Sequence, residues 1–263
     1  MIELYDRAYY LEDCEGFEEF RKTCGKKLPR RLRKCLEILA PAPGEKVIDV
    51  GCGRGEISLH LAAAGADVLA LDPSRDALSI LGEAAAAWPR EAGRTLPFRV
   101  RARGQDLPVA GDWADAVVLS DIVEHLPPAE LRDLLAECRR VLRPGGRAVI
   151  HTQPNRILVR FTVPVLSRFS RLWGVRLPRD LRSEMTPGSG PEYHPGEQSS
   201  GSLRRAILES GLAIDDLWLE GSYAVHRIFG DFRPKEGILR IFRRSRVLKN
   251  LLATQIFAVV RKH

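Results

Sequence analysis

No Cys-x-x-Cys pair occurs among the five cysteines, Cys14, Cys24, Cys35, Cys52 and Cys138. Their odd number and scattered spacing exclude a zinc ribbon and supply no disulfide framework, so reduced thiols in a cytoplasmic protein are expected. No apolar run reaches the ~18–20 residues that a bilayer-spanning helix needs. The opening MIELYDRAYYLEDCEGFEEF is acidic and aromatic, without the apolar stretch of a secretory signal. No internal repeat is present. Acid is in deficit: 34 Asp plus Glu face 41 Lys plus Arg, a net charge of +7. The excess is uneven, because the window 153–182 holds Arg156, Arg160, Arg168, Arg171, Arg176, Arg179 and Arg182 against Asp180 alone. Such a balance suits phosphate, nucleic acid or a membrane surface as partner, or else a solvated Arg-rich face.

What is present is a rhythm of alternating elements. Residues 1–44 read as an N-terminal helical segment, with Leu32, Leu36 and Leu39 at helical spacing and Pro41, Pro43 and Gly44 as the stop. Between 45 and 152, apolar β-rich runs at 46–50, 67–71, 98–102, 114–119 and 147–152 alternate with helical stretches at 56–64, 74–87 and 129–142. Ser74 is placed to cap the second of these helices, and Pro144-Gly145-Gly146 to end the third by a turn. Strand–helix alternation of this length predicts a doubly wound, mostly parallel α/β sheet. Residues 153–198 break the rhythm and read as a cap after strand five. Residues 199–263 bring a helix at 202–210 and two runs, 213–219 and 256–260, that complete the sheet.

The densest information lies in Val47-Ile48-Asp49-Val50-Gly51-Cys52-Gly53-Arg54-Gly55. A strand runs into a glycine turn and then a helix start, which offers unpaired N–H groups at the carboxyl end of a parallel strand. The dinucleotide fingerprint places its third glycine where this chain has Glu56, and an acid there disfavours a pyrophosphate. Asp72 ends the second strand, 17 residues after Gly55, where a carboxylate accepts ribose hydroxyls.

The D-x-G-x-G-x-G turn, Asp72, Gln105-Asp106-Leu107-Pro108 with Asp112-Trp113-Ala114-Asp115, and Arg143-Pro144-Gly145-Gly146 together resemble the class I S-adenosylmethionine-dependent methyltransferases. The resemblance covers 45–152 well and 200–262 loosely. It implies a seven-stranded sheet, S-adenosylmethionine as cofactor and S-adenosylhomocysteine as product. It also implies a cofactor site of Asp49, Gly51, Cys52, Gly53, Gly55, Asp72, Pro73, Gln105, Asp106 and Ser120.

Ser120-Asp121-Ile122-Val123-Glu124-His125-Leu126 follows strand four, a position that borders the transferred methyl in such enzymes. His125, with Asp121 and His194, is the candidate catalytic set, His125 serving as base toward a hydroxyl. The D-x-x-E-H pattern also resembles the magnesium-binding E-x-x-E-H of ubiquinone-biosynthesis O-methyltransferases and small-RNA 2′-O-methyltransferases. No metal is assigned; the alternative is Asp121, Glu124, His125 and His194 around magnesium. His151 and Asn155 are expected at the rim of the acceptor pocket.

The expected activity is O-methylation of a small-molecule, lipid-like or glycan acceptor. A metal-assisted nucleic-acid 2′-O-methyltransferase and a non-catalytic S-adenosylmethionine-binding protein are the alternatives. Residues 157–182 alternate apolar groups with arginines, which fits either an anionic bilayer or lipid-like acceptor, or a lid packed on the core with its charges in water. Segment 238–260 invites the same two readings. No aromatic-basic RNA module is present, so nucleic acid is not the expected partner, and no pattern fixes an oligomeric state.

Overall fold

The computed structural model describes residues 4–89, 95–169, 194–221 and 250–263. A short π-helical turn, Tyr9–Asp13, precedes α1 (Phe17–Thr23) and α2 (Arg30–Leu39). Then come β1 (Lys46–Val50), α3 (Glu56–Ala63), β2 (Asp67–Asp72), α4 (Arg75–Ala86), β3 (Phe98–Arg101) and β4 (Ala114–Ser120). The chain continues through a 3₁₀ turn (Val123–His125), α5 (Pro128–Val141), β5 (Leu142–Thr152), a π turn (Leu158–Thr162) and α6 (Val163–Phe169). It closes with α7 (Ser200–Glu209), β6 (Ala213–Glu220) and β7 (Gln255–Arg261).

The seven strands form one sheet in the order β3-β2-β1-β4-β5-β7-β6. All neighbours are parallel except β7, which runs antiparallel to both β5 and β6. Order reverses beside β1, between β2 and β4, and that switch point opens the crevice where doubly wound sheets bind ligands. The doubly wound sheet expected from the alternation is the one observed.

Alternation along the strands builds two apolar faces. Ile48, Val50, Leu69, Leu71, Val117 and Leu119 face α5 and α7, meeting Leu131, Leu134, Leu135, Leu203 and Ile207. Val47, Val68, Val118 and Val149 face the other way, against Leu32, Cys35 and Leu39 of α2 and Ile57 and Leu61 of α3. Each fully buried leucine contributes about 1.5–3 kcal/mol relative to exposure, so α2 is held by its apolar face although its sequence is basic.

Ser74 caps α4 by accepting from Ala77 N, as expected. Helix α7 begins with a reciprocal capping box between Ser199 and Ser202. The Pro144-Gly145-Gly146 turn needs correction: it lies within β5, not before it. Leu142 already pairs with Ala114, and the next partners are Arg147 and Ala116, so the intervening residues loop out as a bulge. Gly145 N donates to Lys262 O and Lys262 N donates to Gly146 O, which keeps the bulge on the sheet.

In the described part of the expected cap, Leu158, Val159 and Val163 are buried, and Arg160 reaches Glu197. Half of the basic stretch 157–182, much of the turn-rich stretch 186–202 and the first half of 238–260 lie outside the described residues. No helix among the described residues is long and apolar enough to cross a membrane.

Candidate active site

A cavity of about 690 Å³ opens at the switch point, walled by the β1 turn, the end of β2, the segment after β4 and the N-terminal residues. The β1–α3 turn is shaped by its backbone. Gly51 has φ +71°, and a Cβ there would sit 2.7 Å from Ile122 Cδ1, so glycine is needed for both conformation and space. Gly51 N and Cys52 N both donate to Leu71 O, which ties the turn to β2.

Asp49 is 3% exposed and accepts a hydrogen bond from Ser58 Oγ. Burial, aided by the nearby Asp72, pushes its carboxyl up to about 7. Asp72 accepts from Gly53 N at 2.9 Å and Ser74 N at 2.8 Å, yet burial still raises it to about 6. A carboxylate offers about four lone-pair sites, so two remain for a diol. Pro73, Gln105 and Ser120 also line the cavity, and Gln105 Nε2 donates to Glu130 at 2.8 Å. Gly55 and Asp106 are not on its wall. Gly55 instead starts α3 with φ +82°, packed on Leu81.

Asp121, Glu124, His125 and His194 all line the cavity, but they face different partners. Asp121 Oδ2 accepts from Arg31 Nε at 2.7 Å, and Oδ1 lies 2.7 Å from His151 Nδ1, off hydrogen-bond alignment. Burial alone would raise the Asp121 carboxyl; the Arg31 guanidinium and His151 overcome that and hold it below the usual carboxylate range. Glu124 turns inward, 2% exposed, and accepts from Thr152 Oγ1 at 2.8 Å. Burial and the neighbouring Asp121 push it well above the usual carboxylate range. His125 lies beside His194, ring centroids 4.8 Å apart, and its Nδ1 is 2.9 Å from the Tyr5 hydroxyl. Among the described residues, no three His, Cys, Asp or Glu side chains converge as a metal would require.

Two rim expectations are corrected. His151 is fully buried against Phe257, because its position on β5 points it under the sheet. Asn155 is equally buried and staples the chain, donating to Asn250 O and Ala253 O while accepting from Ile157 N.

Sequence patterning did not single out Arg31, Arg54, Tyr5, Tyr9, Tyr10 or Glu15, all of which line the cavity. Arg31 is 8% exposed, clamped by Asp121 and by Glu15 at 3.1 Å, and its Nη2 has no acceptor among the described residues. Its position next to the Leu32 apolar face was the available signal. For Arg54, the signal was an arginine between two ligand-loop glycines, two residues before Glu56.

Residues 47–146 match the family profile described as a methyltransferase domain. An uncharacterised methyltransferase of Synechocystis sp. is 37% identical over 111 residues, covering 42% of this chain and 48% of that protein. The ubiquinone biosynthesis O-methyltransferase of Rhizobium etli is 33% identical over 112 residues, covering 43% and 42%. The chain thus spans about half the length of the curated relatives it matches. A SAM-dependent methyltransferase of Methanosarcina mazei superposes with a TM-score of 0.59 at 18% identity, over 90% of this chain and 98% of that one. Residues 47–146 thus match a methyltransferase domain, set in a seven-stranded sheet that shares its fold with the Methanosarcina mazei structure.

Proposed function

We propose that this protein transfers a methyl group from S-adenosylmethionine to a hydroxyl of a small-molecule acceptor. The observation that carries the reading is one cavity wall holding both the Asp49–Gly53 turn with Asp72 and, after β4, His125 with His194. The donor set fits the cofactor's chemistry: an amino-acid zwitterion at one end and a ribose diol at the other. Asp49 receives the ammonium, and the unengaged Nη2 of Arg31 receives the carboxylate. The open lone pairs of Asp72 accept the ribose hydroxyls, and the wall at Gln105 borders the adenine. When bound, the sulfonium supplies an electrophilic methyl and a good leaving group.

The protein then has two tasks, alignment and proton removal. His125 removes the acceptor proton, with His194 and Tyr5 packed against its ring. Asp121 acts from behind, by fixing Arg31. The magnesium alternative gains no support, since Asp121 Oδ2 is taken by Arg31 and Glu124 turns inward onto Thr152. The lipid-like and glycan acceptor classes stay within this proposal, and so does the cytoplasm as its compartment.

Calorimetry with S-adenosylhomocysteine tests the site. Asp72→Ala is expected to weaken binding by at least about tenfold, the loss of one or two charge-assisted hydrogen bonds. His125→Gln is expected to retain cofactor affinity and lose turnover on a hydroxyl-bearing acceptor panel. Wild-type affinity in Asp72→Ala would remove this cavity as the cofactor site.

A further inference from the structure

The geometry points to the N-terminal segment 5–15 as a strap that completes the site, with Arg54 as its latch and Tyr5 as the residue that positions His125. The inference rests on His125 being the acceptor-side base.

Arg54 stands between Gly53 and Gly55, where a side chain would ordinarily reach for ligand or solvent. It is instead 3% exposed. Nη1 donates to Tyr10 O at 3.0 Å and Cys14 O at 3.4 Å, Nη2 donates to Glu15 O at 2.9 Å, and Nε donates to Glu56 at 3.1 Å. The Phe20 ring lies 5.0 Å from the guanidinium carbon. A buried guanidinium is costly unless its donors are met. Here they are met by the carbonyl of Tyr10 within the short Tyr9–Asp13 turn and those of Cys14 and Glu15 just beyond it, acceptors that so short a helical turn leaves open. Arg54 therefore fixes the path of the N-terminal segment and is spent there.

The other end of the segment is held at the start of α4. Ser74 Oγ donates to Tyr5 O at 2.8 Å, and Arg7 N donates to Asp76 Oδ2 at 2.9 Å. The Arg7 guanidinium forks onto Glu83 at 2.9 and 2.6 Å. Between these two anchorages the segment crosses from the glycine turn to the end of β2, the two corners that read the cofactor. It presents Tyr5, Tyr9, Tyr10, Cys14 and Glu15 to the cavity. The Tyr5 hydroxyl reaches His125 Nδ1 at 2.9 Å, with the rings edge to face at 5.6 Å. A closed strap thus orients the His125 ring and fixes which nitrogen holds the proton.

The two anchorages are unequal. The Arg54 end is dry, whereas Arg7 and Glu83 are 47% and 54% exposed and therefore screened by salt. The strap opens from its Tyr5 end, which uncovers the cofactor corner and releases His125 in the same movement.

The test reads ring ¹⁵N signals of the histidines in protein saturated with S-adenosylhomocysteine, assigned by His125→Gln. Wild type is expected to show one tautomer at His125, and Tyr5→Phe a mixture. Arg54→Lys keeps a charge beside Glu56 but loses the fork. It is expected to give the same mixture at His125, which it does not touch, with roughly tenfold weaker cofactor binding. Should Arg54→Lys melt early, Arg7→Ala frees the opposite end and is expected to give the same mixture with faster, less salt-dependent cofactor release. An unchanged His125 pattern in Tyr5→Phe with cofactor bound overturns the positioning role. Wild-type signals and affinity in Arg54→Lys, or in Arg7→Ala where it replaces it, overturn the strap. Failure of wild type to bind S-adenosylhomocysteine would instead overturn the methyltransferase proposal.

Discussion

At the scale of single residues, the cavity keeps two carboxyls poised near neutrality. Burial raises Asp49 to about 7 and Asp72 to about 6. Both folded values lie above the unfolded ones, so the stability they contribute is complete below about pH 4 and is lost as pH rises through 6 and 7. A ligand ammonium beside Asp49 reverses that preference by favouring the ionised form. Cofactor binding should therefore release a proton near pH 6.5, and affinity should rise from pH 5.5 to 7.5 before levelling. Calorimetry with S-adenosylhomocysteine in buffers of different ionisation enthalpy measures the release directly. A flat affinity across that range, with no buffer dependence, would separate Asp49 from the ammonium. Asp49→Asn is expected to abolish the proton release.

At the scale of elements, the strand–glycine–helix unit was legible because one local pattern encodes all of it. Val47, Ile48 and Val50 demand burial, the glycines permit left-handed backbone, and α3 must begin where the turn ends. Ser74 marks a helix start for an equally local reason. The β5 bulge was half visible: Pro144-Gly145-Gly146 announced a turn, but only pairing with Ala114 reveals the ladder continuing past it. The contacts of Arg31 with Asp121 and of Arg54 with Tyr10 span 90 and 44 residues, and no periodicity reports such separations. His151 was misjudged for a related reason, since which face of an edge-covered strand meets the cavity depends on β7. Gly55 was expected on the cofactor, whereas the structure gives it a packing duty. A Cβ there would lie 2.1 Å from Leu81 Cδ1 at φ +82°. Gly55→Ala should then cost about 3 kcal/mol, from backbone strain plus overpacking. Gly145, with φ +78° and nothing within 4 Å, should cost only the strain, about 1 kcal/mol. Urea unfolding of the two alanine variants compares them, and equal losses would contradict the packing account.

At the scale of the whole molecule, Arg31 and Asp121 join the N-terminal helices to the centre of the sheet. Arg31 comes from α2, Asp121 from the residue after β4, and His151 from β5, so one largely buried contact set joins three parts of the fold. Asp121 is held below the usual carboxylate range, so its sign is opposite to that of Asp49. Its stabilisation is present above the unfolded value of about 4 and is lost as pH falls through the lower folded value. Asp121→Asn isolates this charge with little backbone penalty, because position 121 has φ +54° and asparagine tolerates the left-handed region. Removing one partner of a buried pair typically costs about 3–5 kcal/mol, since the remaining charge stays desolvated. Glu15 still faces Arg31 at 3.1 Å in the variant, which argues for the lower end of that range. Urea unfolding at pH 7.5 and pH 4 measures both effects. The variant should lose stability at pH 7.5, and the gap to wild type should narrow at pH 4 as the wild-type carboxylate begins to protonate in the unfolded chain. A gap that is absent at pH 7.5, or that widens on acidification, would mean that α2 is held to the sheet by its leucines alone.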